Sequence, residues 1–296
     1  MPENTNATNL LDLDRALDLF ASHLGESGHS TNTIIAYRGD VSQLIKYLHS
    51  LSISSVAEVK SDNIEEFKKN LGKNNYTAKS VSRKLNSIKN FFSFLLAEGV
   101  ISADPSREIK HPQYSTSAPN ILKPMEYRAL RDACRHDARA TALVELMLQS
   151  GLRISEIAAL LLEDIKDNEL FIRAYESHTQ RSVPLNQSAR TSLRRYIQEE
   201  RQDSKSKNVF ITKTGRPLLV RNIRSLLNRY FAKAGIQDSK VNDLRNTFIV
   251  FQLEAGVPID IVSRVVGHKR ISTTEKYLEL ISQSRDEGAG FKLKEL

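Results

Sequence analysis

Four short stretches in the second half of this 296-residue chain carry residue types suited to phosphoryl transfer. They are Ser150-Gly151-Leu152-Arg153-Ile154-Ser155-Glu156, Asn242-Asp243-Leu244-Arg245-Asn246-Thr247, Val266-Gly267-His268 and Ser272-Thr273-Thr274-Glu275-Lys276-Tyr277. A tyrosine such as Tyr277 can act as a covalent nucleophile and store the energy of a broken phosphodiester in a phosphotyrosyl link. The transition state gathers negative charge on the non-bridging oxygens, and Arg153 and Arg245 offer bidentate, charge-assisted donors for it. His268, in the turn after Gly267, can donate a hydrogen bond to the same oxygens or assist proton transfer. Glu156 is placed to brace an arginine from behind. Taken singly, each residue also has a structural reading: Arg153 as a surface partner of Glu156, Tyr277 as a half-buried aromatic, His268 as a turn histidine.

Those side chains need helix ends to aim them. Gly151 reads as the stop of a helix over 138–150, so Arg153 falls at the start of the next one. Arg245 lies near the start of a helix over 241–255, where the dipole favours phosphate. Ser272 with Glu275 reads as a capping box opening a helix over 272–283, early in which Tyr277 falls. Further helices are expected near 124–135, with Pro124 in the first turn, and near 187–202, 220–234 and 258–266. Leu170-Phe171-Ile172 and Ser182-Val183-Pro184-Leu185 flank a polar stretch around Ser177-His178 and predict a small antiparallel hairpin. In the first hundred residues, apolar positions at helical spacing predict four helices, over 10–24, from Thr31 to Leu48, near 61–71 and from about Thr77 to Glu98. Pro105, Pro112 and Pro119, with Ser115-Thr116-Ser117 between, mark a linker. The expectation is a mainly α chain: a four-helix domain over 1–100, a linker over 101–120, and a mostly helical second domain over 121–296 with a small sheet.

Charge separates these parts. Residues 1–112 carry 13 basic and 13 acidic side chains, whereas residues 113–296 carry 30 and 22 and hold the whole net charge of +8. Phe67 to Ala97 nevertheless holds seven basic residues and no acidic one, and Arg173 to Lys233 holds 14 basic against four acidic. Such clustering is the electrostatic footprint of a polyanion binder, because each neutralised phosphate releases counterions. Lys79, Arg83, Lys84 and Lys89 are the candidate nucleic-acid contacts of the first domain. The apolar runs fall far short of the roughly 20 residues that span a bilayer, and no basic start leads into an apolar leader. No membrane role is expected. The single cysteine, Cys134, excludes an internal disulfide framework and a multi-cysteine zinc site. No nucleotide-binding loop or carboxylate cluster at ligand spacing is present, so no metal and no cofactor are expected.

Taken together and in this order, with Tyr277 nine residues after His268, the four stretches resemble the tyrosine recombinases of the Xer, integrase and transposon-resolvase kind. Thr31 to Leu48, with Thr33, Tyr37 and Asp40, is similar to that family's N-terminal core-binding, SAM-like domain, and 121–280 to its catalytic domain. The resemblance implies a two-domain clamp on double-stranded DNA and a cytoplasmic site-specific recombinase with Arg153, Asn242, Arg245, His268 and Tyr277 as its catalytic set. It also implies strand exchange through a Holliday junction within a homotetramer, or a heterotetramer with a second recombinase. A C-terminal tail, hinged at Gly288-Ala289-Gly290, could plug a neighbouring subunit through Phe291, Leu293 and Leu296.

Two positions depart from the family pattern. The hairpin lysine that protonates the leaving 5′-oxygen in the family corresponds to Glu176 here, and a carboxylate repels phosphate at close range. Either another register makes His178 the substitute acid, or Glu176 faces solvent. Asn242 stands where the family has a histidine; it can donate a hydrogen bond but cannot shuttle a proton. These departures keep open a rival reading, a DNA-binding accessory partner of another recombinase. A type IB topoisomerase would share the chemistry.

Overall fold

The computed structural model describes residues 11–115, 118–175, 178–201 and 204–281. The chain divides into two compact units, Met1–Thr116 and Ser117–Leu296.

The first unit holds helices α1 (Leu13–Glu26), α2 (Thr31–Ser50), α3 (Ser61–Lys73) and α4 (Ala78–Ala97), and α1, α2 and α4 begin where the sequence supplies a side-chain cap. The Asp12 carboxylate accepts from the amides of Asp14 and Arg15, Ser30 Oγ from that of Thr33, and Thr77 Oγ1 from that of Ser80. Leu13, Leu17, Phe20 and Leu24 of α1 and Val41, Leu44, Ile45 and Leu48 of α2 are buried against Leu85, Ile88, Phe91, Phe92 and Leu95 of α4.

Within this core sits a charge cluster that corrects the expected basic face of α4. Asp40, 3% exposed, receives Arg83 Nη1 at 2.5 Å and Nη2 at 2.8 Å, Lys84 Nζ at 3.0 Å and Ser87 Oγ at 2.8 Å. Lys84 is itself buried, so its ammonium serves Asp40 and is not presented to a partner. Lys89 Nζ donates to the Arg107 carbonyl, while Lys79 is exposed. Burial alone would raise the Asp40 pKa, but the hydrogen bonds from Arg83, Lys84 and Ser87 outweigh it and hold the carboxyl below its ordinary value of 3.8. A lowered folded pKa means the contribution is complete above about pH 4 and is lost as pH falls below that. Asp40→Asn leaves the buried Lys84 charge unpaired and is expected to lower stability by roughly 3–5 kcal/mol, read from denaturant melts at neutral pH.

The second unit builds on α5 (Pro124–Cys134), α6 (Ala138–Ser150), α7 (Ile154–Ala159), α8 (Gln187–Glu199), α9 (Val220–Lys233), α10 (Val241–Glu254), α11 (Ile259–Val266) and α12 (Ser272–Glu275). Strands β1 (Glu169–Ile172) and β2 (Arg181–Pro184) pair antiparallel, Leu170 opposite Val183 and Ile172 opposite Arg181. Helix α6 is the central element, packed against α8 and α10, with Leu143, Val144, Leu146 and Met147 buried.

The helix carrying Tyr277 departs from expectation. The Ser272–Glu275 capping box does not form: the N-cap is Ile271 in the right-handed helical region, without a side-chain cap. Helix α12 is four residues long, and Tyr277 lies in the turn after it, its amide bonded to the Thr274 carbonyl at 3.0 Å. Glu176 and the 288–296 tail lie outside the described residues. Among the described residues, no helix is long and apolar enough to cross a membrane.

Candidate active site

The start of α7, the second turn of α10 and the start of β2 meet at the C-terminal end of α11. The last carbonyls of a helix have no partner within it and carry the negative end of its dipole. Here arginines meet them. Arg181 Nε donates to the Val265 carbonyl at 2.7 Å, and Arg245 Nη2 to that of Val266 at 2.8 Å. Arg153 donates to Val266 at 3.2 Å through Nη1 and to Gly267 at 2.7 Å through Nη2. Three guanidinium groups would repel one another without compensation. The carbonyls and one buried carboxylate offset part of that repulsion and leave the cluster net positive.

That carboxylate is Glu156. Its Oε1 and Oε2 take Arg181 Nη1 and Nη2 at 2.8 and 2.9 Å, a parallel pair. Oε1 also accepts Arg153 Nη1 at 2.9 Å, and Oε2 accepts the Arg153 backbone amide at 2.8 Å. The last contact caps α7, which begins at Ile154, so one glutamate both starts the helix and aims the arginine before it. Burial pushes the Glu156 carboxyl up, but the hydrogen bond and charge of Arg181, followed by the Arg153 contacts, bring it below its ordinary value. Arg181 is the residue that reading the sequence missed. The signal was the alternation of β2, which places Arg181 on the same face as buried Val183.

The two glycines of the motifs follow from these contacts. Gly151 closes α6 at φ +62°, and a Cβ there would overlap the Phe248 ring. Its carbonyl accepts Arg245 Nη1 at 2.5 Å. Gly267 closes α11 at φ +68°, and a Cβ would lie 2.9 Å from Cζ of Arg181. That guanidinium is pinned by Glu156 and Val265 and cannot yield. Both positions therefore demand glycine for conformation and for space.

Arg245 is buried, 4% exposed, and burial together with the neighbouring Arg153 charge brings its pKa down to about 9. The carbonyl contacts leave N–H groups of Arg153 and Arg245 available for an incoming oxyanion. His268 Nδ1 lies 2.8 Å from Thr274 Oγ1, and the ring stacks on Tyr277 with centroids 6.3 Å apart. Burial, then the charges of Arg245, Arg153 and Arg181, lower its pKa from 6.5 to about 4. The imidazole is neutral at working pH, a hydrogen-bond donor or acceptor and not a cation. Because the folded pKa is depressed, unfolding takes up a proton below pH 6.5, and this group's contribution to stability declines from there to about pH 4. An NMR titration of His268 in the free protein is expected to show its inflection near 4. An inflection at 6.5 or above would contradict the clustered arginine charges.

Tyr277 is 8% exposed, and its hydroxyl donates to Asn246 Oδ1 at 2.9 Å. Burial raises its pKa, the Asp243 charge adds to the rise, and Arg245 opposes it. Asn242 reaches the same amide oxygen through Nδ2 at 3.2 Å. The structure thus brings together Arg153, Glu156, Arg245, His268 and Tyr277, with Asn242 joined through Asn246. In the hairpin, His178 and Tyr175 exchange backbone hydrogen bonds at 2.9 and 3.1 Å. His178 Nδ1 is buried without a partner, and burial followed by the Arg153 charge depresses the ring's pKa. The candidate contacts Lys79, Arg83, Lys84 and Lys89 belong to the other unit. Among the described residues, no group of His, Cys, Asp and Glu is arranged to hold a metal ion.

A mainly helical two-unit chain whose arginines, histidine and tyrosine converge in this way matches known families over nearly its whole length. Residues 120–283 match the phage integrase family and residues 17–99 the N-terminal SAM-like domain of phage integrases. The chain belongs to the phage integrase family, the tyrosine recombinases. It is 29% identical over 285 residues to tyrosine recombinase XerC of Roseiflexus castenholzii, covering 92% of this chain and 91% of that one. It is 30% identical over 262 residues to tyrosine recombinase XerD of Staphylococcus saprophyticus, covering 85% and 89%. The fold is that of lambda integrase in a dimer bound to a COC′ core site, with a TM-score of 0.76 at 16% identity over 98% of this chain and 82% of that one. The Tn1549 transposon integrase in complex with a circular intermediate DNA gives 0.71 at 18% identity over 93% and 99%.

Proposed function

We propose that this protein is a site-specific DNA recombinase that cuts and rejoins strands through a 3′-phosphotyrosyl intermediate, with Tyr277 as nucleophile. The observation that carries this reading is the convergence of Arg153 and Arg245 on the α11 terminus, beside the buried Tyr277 hydroxyl and the neutral His268. In this reading a scissile phosphate takes the free guanidinium N–H groups, which face the charge gathered in the transition state. The Tyr277 hydroxyl gives up its proton to solvent as its oxygen forms a bond to phosphorus, the bond from phosphorus to the 5′-oxygen breaks, and that oxygen takes up a proton, so the strand leaves as a 5′-hydroxyl. A new 5′-hydroxyl reverses these steps, so the energy of the original bond is retained without ATP. His268 donates to a non-bridging oxygen, and Asn242 adds a neutral donor at the edge of the site.

The leaving 5′-oxygen needs a proton, and His178 is the described hairpin group for that task. Burial and then the charges of Arg153, Lys269 and Arg181 depress the ring's pKa, and a bound phosphate offsets the charge part of that effect. The partner is a duplex recombination site, engaged by a SAM-like domain over 1–100 and a catalytic domain over 121–296 joined by the 101–120 segment. Four subunits assemble at synapsis, and the reaction takes place on DNA in the cytoplasm.

The test is a nicked suicide duplex carrying the site flanking the gene, incubated with the protein in EDTA and resolved on a denaturing gel. A covalent protein–DNA adduct is the expected result. Tight, specific binding without an adduct would replace this reading with that of an accessory DNA-binding partner.

A further inference from the structure

We propose that Asn246 is the positioning residue of the nucleophile: its amide oxygen holds the Tyr277 hydroxyl in the site, protonated, before DNA arrives. The proposal rests on the assignment of Tyr277 as nucleophile and goes beyond it by naming what places the phenol.

The amide of Asn246 has one permitted orientation. Nδ2 donates to the Asn120 carbonyl at 3.0 Å and to Asp243 Oδ1 at 3.2 Å, both acceptors only. A flip would set the amide oxygen against a carbonyl and a carboxylate, and would set Nδ2 against Asn242 Nδ2. Asp243 is fixed in turn: its Oδ2 accepts the Lys240 amide at 2.7 Å and Asn120 Nδ2 at 3.1 Å. Oδ1 of Asn246 must therefore face Tyr277, and its two donors are the phenol and Asn242. An amide oxygen is too weak a base to take the phenolic proton, so this contact fixes the oxygen's position without activating it. It also couples the nucleophile to Asn242, because both share one acceptor. The backbone places Tyr277 in a turn between helical residues 272–275 and 278–281, its amide on the Thr274 carbonyl, but does not by itself fix the phenol oxygen. The side-chain tether does.

The chain holds an internal reference for what a carboxylate would do in place of that amide. Tyr230 donates to Asp137 Oδ2 at 2.7 Å, and its pKa is pushed up to about 12, by burial and by that carboxylate. Asn246→Asp keeps an acceptor oxygen at the same reach and adds the charge; its second oxygen replaces Nδ2 against the Asn120 carbonyl and Asp243 Oδ1, so a thermal melt confirming the fold accompanies the titration. With Cζ-labelled tyrosine, the Tyr277 resonance, assigned by its loss in Tyr277→Phe, is expected to titrate at higher pH in Asn246→Asp than in wild type. Single-turnover cleavage of the suicide duplex by that variant shifts its pH optimum the same way. Asn246→Leu, which removes the acceptor, is expected to form adduct at least ~10-fold more slowly with DNA affinity unchanged, since small misplacements of reacting atoms cost that much. An unmoved Tyr277 titration in Asn246→Asp, or a wild-type rate in Asn246→Leu, would overturn the proposal. Adduct formation by Tyr277→Phe would instead overturn the assignment of the nucleophile, so the two failures are separable.

Discussion

Tyr277→Phe is expected to abolish the covalent DNA adduct while leaving the protein folded and bound to its site. The substitution removes one oxygen and keeps the ring. That ring stacks on His268 and belongs to a buried cluster with Phe248, Ile249, Val262, Val266 and Ile281, all of which phenylalanine preserves. The stability lost is that of one buried hydrogen bond to Asn246, about 1 kcal/mol, with a further desolvation cost for the amide oxygen partly met by Asn242. The arginines that meet phosphate are untouched, so affinity for duplex is retained. Chemistry falls to background because phenylalanine has no oxygen with which to form the bond to phosphorus. Adduct yield from the suicide duplex and a gel-shift titration, run together, separate the two effects.

Glu156→Gln is expected to be the single change in the site most damaging to stability. The carboxylate is the only acidic partner recorded for Arg181 and Arg153 among the described residues, and both arginines are largely withdrawn from solvent. Losing one member of a buried ion pair leaves uncompensated charge and costs roughly 3–5 kcal/mol. For a domain of this size, that is a fall on the order of 10 °C in Tm. The loss also reaches catalysis. Arg153 would keep its carbonyl contacts, but the single amide oxygen of glutamine cannot serve the α7 cap and both guanidinium groups at once, so cleavage is expected to drop by about 10²-fold. The pH dependence has a definite sign. The folded pKa lies below the ordinary 4.5, so the wild-type advantage over the variant is complete above about pH 4.5 and shrinks as pH falls further. Thermal melts of both proteins between pH 3 and 8 check it.

The helices were legible because apolar spacing and caps agreed. Leu13, Leu17, Phe20 and Leu24 repeat at helical intervals behind Asp12, and all four are buried. Gly151 and Gly267 announced helix ends, and both adopt the left-handed conformation that such ends require. Lys84 shows where counting charges misleads. It sits three residues after Val81 and four before Ile88, on the buried stripe of α4, and periodicity outranks charge there. The candidate site residues were legible as residue types in order, but the contacts that bring them together were not. Arg181 meets Glu156 across 25 residues, and Tyr277 meets Asn246 across 31. Nothing local in the sequence encodes such partners; they follow from how β2, α10 and α11 pack. The capping box at Ser272 failed for a related reason. Ile271 already has helical backbone angles, so the cap position is occupied before Ser272 is reached.

The central claim is that Tyr277 forms the bond to DNA, and mapping the linkage tests it most directly. Adduct from the suicide duplex is digested with protease and nuclease, and the nucleotide-bearing peptide is sequenced by mass spectrometry. The account predicts a nucleotide joined through its 3′-phosphate to the peptide containing Tyr277. A linkage through a 5′-phosphate, or on any other residue, would contradict it.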